Sequence, residues 1–288
     1  MKMKVTFISI LLVFATLSFA QRRDSNPVRF EKISDNLYEI LDGSGARGGA
    51  YIGDSEVLLI DSKMSKESVE QTLNELKKIT DYPVKYLVNT HSDGDHVNGN
   101  QYFSEDIVFV SHNNCRNDFF APGRDGSAST WSKPELIKYV PSFTFNDRLN
   151  IYLGSKKVEL WYFGKGHTIG DAVVYFPEEK VAFIGDQIFL GRVQLIHKHK
   201  KGNSFEHVKT LTKMTEELPA VSFYSGHSEP TDRLGIFNHI KEMKARQKKI
   251  RSLINEGKKL ELIQSEFTNE EKTIVASIYI EITKEGYD

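Results

Sequence analysis

The chain has 288 residues, 39% of them hydrophobic and 27% charged, which is enough to bury a substantial core in one large domain or two small ones. Lys and Arg total 38 against 39 Asp and Glu, so the basic footprint of a protein that grips nucleic-acid phosphates is missing and no nucleic-acid partner is expected. Cys115 is the single cysteine, which excludes an intramolecular disulfide.

In chain order, Lys2 and Lys4, an apolar run from Val5 to Phe19 and the ending Ser18-Phe19-Ala20 read as a cleaved signal peptide over residues 1–20. The mature chain, residues 21–288, is then expected as one domain exported to a periplasm or the medium. No later segment offers the roughly 18 to 20 apolar residues of a spanning helix, so no membrane span is expected after cleavage. Short β-rich runs follow at Leu37–Ile40, Gly49–Ile52 and Val57–Ile60, separated by Gly- and Asp-rich turns. Val69, Leu73, Leu76 and Ile79 then fall at helical spacing within Ser65–Thr80, with Ser65 as N-cap, and a strand at Val84–Val88 closes a β-α-β unit. Residues 113–134 read as a long surface excursion with one helical turn, either a lid or a packed insertion. A second set of strands starts near Phe143 and continues at Leu149–Leu153, Val158–Phe163, Ala172–Phe176 and Val181–Ile184. Beyond it come a helix over Ser204–Glu217, a strand at Val221–Tyr224, and helical composition over Asp232–Glu256 and Glu261–Thr283. Two rounds of strands followed by helices predict an α/β architecture of two sheets packed face to face with helices outside.

The most informative stretch is His91-Ser92-Asp93-Gly94-Asp95-His96, directly after the Val84–Val88 strand. Two imidazoles and two carboxylates on so short a loop repel one another and lose solvation unless a divalent cation holds them. Further chemistry-bearing residues sit at later strand ends: His167 in Gly166-His167-Thr168-Ile169-Gly170-Asp171, Asp186 after Phe183-Ile184-Gly185, and His227 after Ser225-Gly226. Rigid strands can bring such loops together on one edge.

In this order of ligands the chain resembles the metallo-β-lactamase fold superfamily, whose hallmark is a His-x-His-x-Asp-His loop followed by single His, Asp and His ligands. The Leu58-Leu59-Ile60-Asp61 run resembles the family's early strand ending in a structural aspartate. The resemblance implies an αββα sandwich with the site at the edges of the two sheets. It implies that His91, Asp93 and His167 hold a first metal, that Asp95, His96 and His227 hold a second, and that Asp186 bridges them. The implied cofactors are two divalent ions, zinc foremost, with manganese or iron as alternatives. The implied activity is hydrolysis of a small-molecule ester, lactone, thioester, amide or phosphoester by a hydroxide generated between the metals, with Asp95 orienting it and later taking its proton. Asp93 departs from the family pattern, standing where the second histidine belongs. Flavodiiron proteins carry Glu at the equivalent place and the hydrolase-like domain of DNA-uptake channels carries Asp, but this chain has room for neither a flavodoxin domain nor a channel.

The other candidates take plainer readings. His112, His207 and His239 are expected as hydrogen-bonded, non-ligand side chains, and Cys115 as a packed one. The run His197-Lys198-His199-Lys200-Lys201 is expected as a solvated charge run, with a basic loop beside the site that touches an anionic substrate as the alternative. Thr168 and Asp171 are expected to orient His167, and Phe119, Phe120 and Trp131 to pack in the excursion or line a pocket. The competing functions are a β-lactamase, a di-iron redox enzyme on the same fold, and a metal-binding protein without turnover.

Overall fold

Strands that are apolar on both faces decide the architecture. In Val57–Ile60, Leu58 and Ile60 enter one core while Val57 and Leu59 enter another; in Val173–Phe176, Val174 and Phe176 share the core of Leu58, while Val173 and Tyr175 face helices. A strand buried on both sides needs a layer on each side, and two such sheets sharing one core give four layers.

The computed structural model describes residues 26–123 and 125–287, so the segment read as a signal peptide lies outside the described residues. The first sheet contains β1 (Arg29–Lys32), β2 (Leu37–Leu41), β3 (Gly48–Ile52), β4 (Val57–Ile60), β5 (Val84–Asn89), β6 (Val108–His112) and β7 (Phe143–Phe145), in that spatial order. β1 to β4 pair antiparallel, and β4 to β7 pair parallel. The second sheet runs β12 (Ser222–Tyr224), β11 (Val181–Phe183), β10 (Val173–Phe176), β9 (Lys156–Trp161), β8 (Arg148–Leu153), with β11 and β12 its one parallel pair. Helix α1 (Lys66–Lys77), capped by the Ser65 side chain, covers the first sheet through Val69 and Leu76. A short α2 (Gly94–Val97) carries part of the ligand loop, and α3 (Asn113–Phe119) opens the excursion. Helices α4 (Ser204–Glu217), α5 (Arg233–Asn255), α6 (Leu260–Gln264) and α7 (Lys272–Lys284) cover the second sheet. The αββα sandwich expected from the resemblance is therefore the observed fold.

Three features differ from expectation, two unmarked strands and one divided helix, and one open alternative is decided. β1 and β6 are strands that the sequence patterning did not mark. The Glu261–Thr283 region is two helices, α6 and α7, rather than one. The 113–134 excursion is a packed insertion: α3 has seven residues, and Cys115, Phe119 and Trp131 join Val97 and Val140 in a small core of their own, leaving Phe120 exposed.

Two histidines are locked into the helical layer. His207 on α4 and His239 on α5 are buried with ring centroids 5.7 Å apart, and the His207 ring meets the Gln187 carbonyl through Nε2 at 2.6 Å. Burial, with His239 beside it, pushes His207 down to about 3; burial, with Arg246 nearby, pushes His239 down to about 4. Both therefore bind a proton far more readily in the unfolded chain, whose histidines titrate near ~6.5. Their contribution is complete above that pH and is lost as pH falls toward the folded values. Between pH 7 and pH 5 each should cost about 2 kcal/mol of stability. Other histidines of the chelated protein, His96 and His167 among them, shift the opposite way, so urea unfolding at the two pH values should show this contribution as a smaller destabilisation on acidification in His207→Gln and His239→Gln than in the parent; an unchanged pH dependence in both variants would refute the assignment.

Candidate metal centre

The site forms at one end of the sandwich, where β4, β5 and β11 release their loops. β4 ends at Asp61, which adopts a left-handed conformation with φ of 57°. Its carboxylate turns back to accept from the Thr90 amide and hydroxyl, both at 2.8 Å, and meets His96 Nδ1 at 2.7 Å. That contact fixes the His96 ring and leaves Nε2 facing the cluster. Thr90 Oγ1 lies 3.1 Å from His91 Nδ1, so the same hydroxyl positions a second ring. His167 Nδ1 donates to the Leu195 carbonyl at 2.9 Å, again leaving Nε2 inward. The Asp186 loop follows Gly185, whose φ of 53° and close approach to Thr90 leave no room for a side chain. Gly226 is equally constrained: a Cβ there would sit 2.4 Å from Asp186 Oδ1 and 2.6 Å from His96 Cε1.

All seven residues singled out in the sequence meet here, in two groups within which every potential ligand atom lies within 4.8 Å of the others: His91, Asp93, His167 and Asp186, and Asp95, His96 and His227. Asp186 touches both groups. Its Oδ1 is 3.1 Å from His96 Nε2, and its Oδ2 is 3.3 Å from His227 Nε2 and 3.9 Å from both His91 Nε2 and His167 Nε2. Asp95 Oδ2 lies 2.8 Å from His227 Nε2. Several of these atoms are close yet misaligned: among the described residues His91 Nε2, His96 Nε2 and Asp186 Oδ1 are buried without a hydrogen-bond partner. Orphaned donors and acceptors in a polar interior normally carry a cost. Here they share a focus, and an N/O donor set of this kind fits divalent zinc, manganese or iron.

In the protein alone, protons balance the carboxylates. Burial opposes charge on His96, but Asp186 and Asp61 outweigh it and hold its pKa well above the ordinary value; burial likewise opposes charge on His167, which Asp93 and Asp186 nevertheless raise to about 9. Burial alone would raise Asp186, yet His96 and His227 hold it well below the carboxylate range.

The expected supports are partly corrected. Asp171 does not reach the His167 ring; it accepts from the Thr168 amide at 2.9 and 3.1 Å and from the Thr168 hydroxyl, stiffening the loop that carries His167. The larger correction concerns His197 to Lys201. Lys200 is not solvated: its Nζ lies 2.6 Å from Asp93 Oδ1, with the Ser92 carbonyl and hydroxyl at 2.8 and 2.9 Å, and its side chain is only 16% exposed. His197 Nδ1 lies 3.0 Å from Asp93 Oδ2. Lys63 was also not anticipated. Buried, its Nζ donates to the Ile40, Asp42 and Ala46 carbonyls, which burial accompanies with a pKa lowered to about 8. It thereby fastens the turn whose Ala46 and Arg47 amides donate to the Asp95 and Gly226 carbonyls. Beside the cluster, Ser92, Asp118, Phe119, Trp131 and Lys200 help line a cavity of about 340 Å³.

Residues 50–227 match the family model described as the metallo-beta-lactamase superfamily. The chain belongs to the metallo-beta-lactamase superfamily. Within this superfamily it is 24% identical to the metallo-beta-lactamase type 2 of Elizabethkingia meningoseptica over 82% of this chain and 92% of that one. It is 23% identical to the type 2 enzyme of Bacteroides fragilis over 79% and 90%. A shorter match, 26% identical over 56% of this chain and 46% of the other, is to the 2,4-dinitroanisole O-demethylase subunit alpha of Nocardioides sp. (strain JS1661). Among solved structures the fold matches a metallo-beta-lactamase from Pontibacter korlensis with a TM-score of 0.62 at 18% identity, covering 75% of this chain and 99% of that one. With its His/Asp cluster, this superfamily member is a metallo-hydrolase.

Asp61 gives a direct check on the site. Asp61→Ala removes the partner of His96 Nδ1 and of Thr90 together, so divalent-metal affinity measured by chelator competition should fall about 10- to 100-fold. Affinity equal to the parent's, in a variant with native circular dichroism, would show that Asp61 does not orient the ring.

Proposed function

We propose that the chain is an exported binuclear metallo-hydrolase acting on a small ester, lactone, thioester, amide or phosphoester. In this reading residues 1–20 address the chain out of the cytoplasm, and residues 21–288 form one catalytic domain. The observation that carries the proposal is the place of Asp186 between the ligand groups, 3.1 and 3.3 Å from His96 and His227 of the second and 3.9 Å from both His91 and His167 of the first. His91, Asp93 and His167 would hold one ion, Asp95, His96 and His227 the other, with Asp186 between them and zinc as the first-choice metal. Bound divalent cations supply Lewis acidity, lowering the pKa of a water from about 15.7 toward ~7 and polarising the scissile oxygen.

The protein's own contribution follows from exposure. Asp95 and His227 have side chains 32% and 26% exposed, whereas those of His91, His96 and His167 are at most 1% exposed, so substrate approaches over the Asp95–His227 side. Burial, which would raise Asp95, is outweighed by His227 and His96, and the carboxylate stays ionised. An ionised, part-exposed carboxylate can orient a water and accept its proton. A β-lactamase is one member of this class, and two curated relatives carry that name. Asp93 is the residue that separates this chain from the family loop, so a non-lactam substrate ranks first.

Metal content by inductively coupled plasma mass spectrometry should give two ions per chain in the parent and a loss in Asp186→Ala. Asp95→Asn should slow hydrolysis on an ester, lactone, thioester and phosphodiester panel by about 10²- to 10⁴-fold. Fully loaded protein inactive on the whole panel would end the hydrolase reading, bound iron with a redox-linked optical signal would move the chain to the redox class, and nitrocefin turnover above the other substrates would make it a β-lactamase.

A further inference from the structure

Asp93 leaves the first ligand group one imidazole short of the family loop, and the 196–202 segment brings another imidazole to the same place. Lys200 Nζ, 2.6 Å from Asp93 Oδ1, occupies one of the two carboxylate oxygens. Only Oδ2 then faces the cluster. Three imidazole nitrogens surround it: His197 Nδ1 at 3.0 Å, His167 Nε2 at 3.1 Å and His91 Nε2 at 3.5 Å. Two donors each about 2.0 to 2.2 Å from one zinc, at tetrahedral to right angles, lie about 2.8 to 3.6 Å apart. The His197 contact falls in that window, and His197 Nδ1 shares another property with His91 Nε2 and His96 Nε2: it is buried and makes no hydrogen bond among the described residues, despite its closeness to a carboxylate oxygen.

The backbone holds the ring in register. The His197 amide donates to the His167 carbonyl at 2.8 Å, and the His197 carbonyl accepts from the Lys200 and Gly202 amides at 2.9 and 3.0 Å. The His167 and His197 rings stand 4.4 Å apart between centroids at an interplanar angle of 44°. A solvated basic turn would need none of these ties.

We propose that His197, through Nδ1, is a ligand of the first metal and restores the imidazole that Asp93 displaces, while Lys200 restricts Asp93 to a single coordinating oxygen. The inference rests on the metallo-hydrolase reading of the cluster. His197 stands beside, not within, the group of His91, Asp93, His167 and Asp186 whose ligand atoms all lie within 4.8 Å of one another, so ligation would draw its ring inward; those four residues and His197 would then hold the first ion, and the more open side belongs to the second group.

The test uses the mature protein reconstituted with cobalt. Metal content is read by mass spectrometry, and proton NMR counts the hyperfine-shifted imidazole N–H resonances, one for each ligating histidine. The parent should hold two ions and show five such resonances; a parent that takes up no metal would overturn the metallo-hydrolase reading itself. His197→Ala and His197→Asn should each lose one resonance and weaken the first site at least tenfold in chelator competition, while His199→Ala, on the same turn, changes neither. Asn keeps a hydrogen-bond donor near Asp93, so recovery of parent affinity in His197→Asn would make His197 a hydrogen-bond partner and overturn the proposal. Four resonances in the fully loaded parent would overturn it without any variant.

Discussion

The structure depends on the confinement of three carboxylates, Asp93, Asp95 and Asp186, at one end of a sandwich whose interior is otherwise apolar. Anions brought that close in low dielectric demand positive charge. In the protein alone the imidazoles supply it: the same carboxylates that stay ionised drive protons onto His96 and His167 against the cost of burial. Metal binding must therefore release protons, which couples affinity to pH and makes folding and loading partly the same problem.

The sandwich makes that confinement affordable by doing its own stabilising elsewhere. Alternate residues of β4 and β10 feed two cores each, so the strands are fixed from both faces before their ends reach the site. Parallel pairing of β4 with β5 then places Asp61 beside Thr90, and the antiparallel and parallel neighbours of β11 place Asp186 beside Gly226. The ligand loops can be short because the strands set their positions. What remains is local: Asp61, Thr90, Leu195 and Lys63 orient rings and fasten turns through single hydrogen bonds.

Much of this was legible in the chain. Four of the seven clustered residues and the N-cap Ser65 follow from local spacing, because a loop of six residues and an N-cap are local objects, whereas His167, Asp186 and His227 were marked by their strand-end positions and by the family resemblance. Lys200 and His197 were not legible, since a charge run looks the same whether water or a carboxylate 107 residues away neutralises it. Lys63 was hidden for the same reason: its acceptors are main-chain carbonyls, which no residue type announces. β1 and β6 lay outside the recognised runs; β1 is a largely exposed edge, and β6 is short and placed by its parallel neighbours more than by its own alternation. The helical stretch near the C-terminus reads as continuous because composition does not show the turn at residues 265–271 that divides α6 from α7.

The exchange of a histidine for Asp93 also changes less than it first suggests. A neutral imidazole replaced by a carboxylate adds one negative charge to the first ligand group, which by itself would favour harder cations. Lys200 returns that charge at 2.6 Å from a largely buried position, so Asp93 and Lys200 together carry the net charge of the imidazole they replace. An isolated ion pair of this kind would be a poor investment on the surface, where such contacts contribute about 0 to 1 kcal/mol. Beside a ligand cluster it has a different effect, because it fixes which oxygen faces the cluster and keeps the charge balance of the site unchanged. The geometry thus separates two properties that the residue swap alone would couple, the hardness of the donor atom and the charge of the donor group.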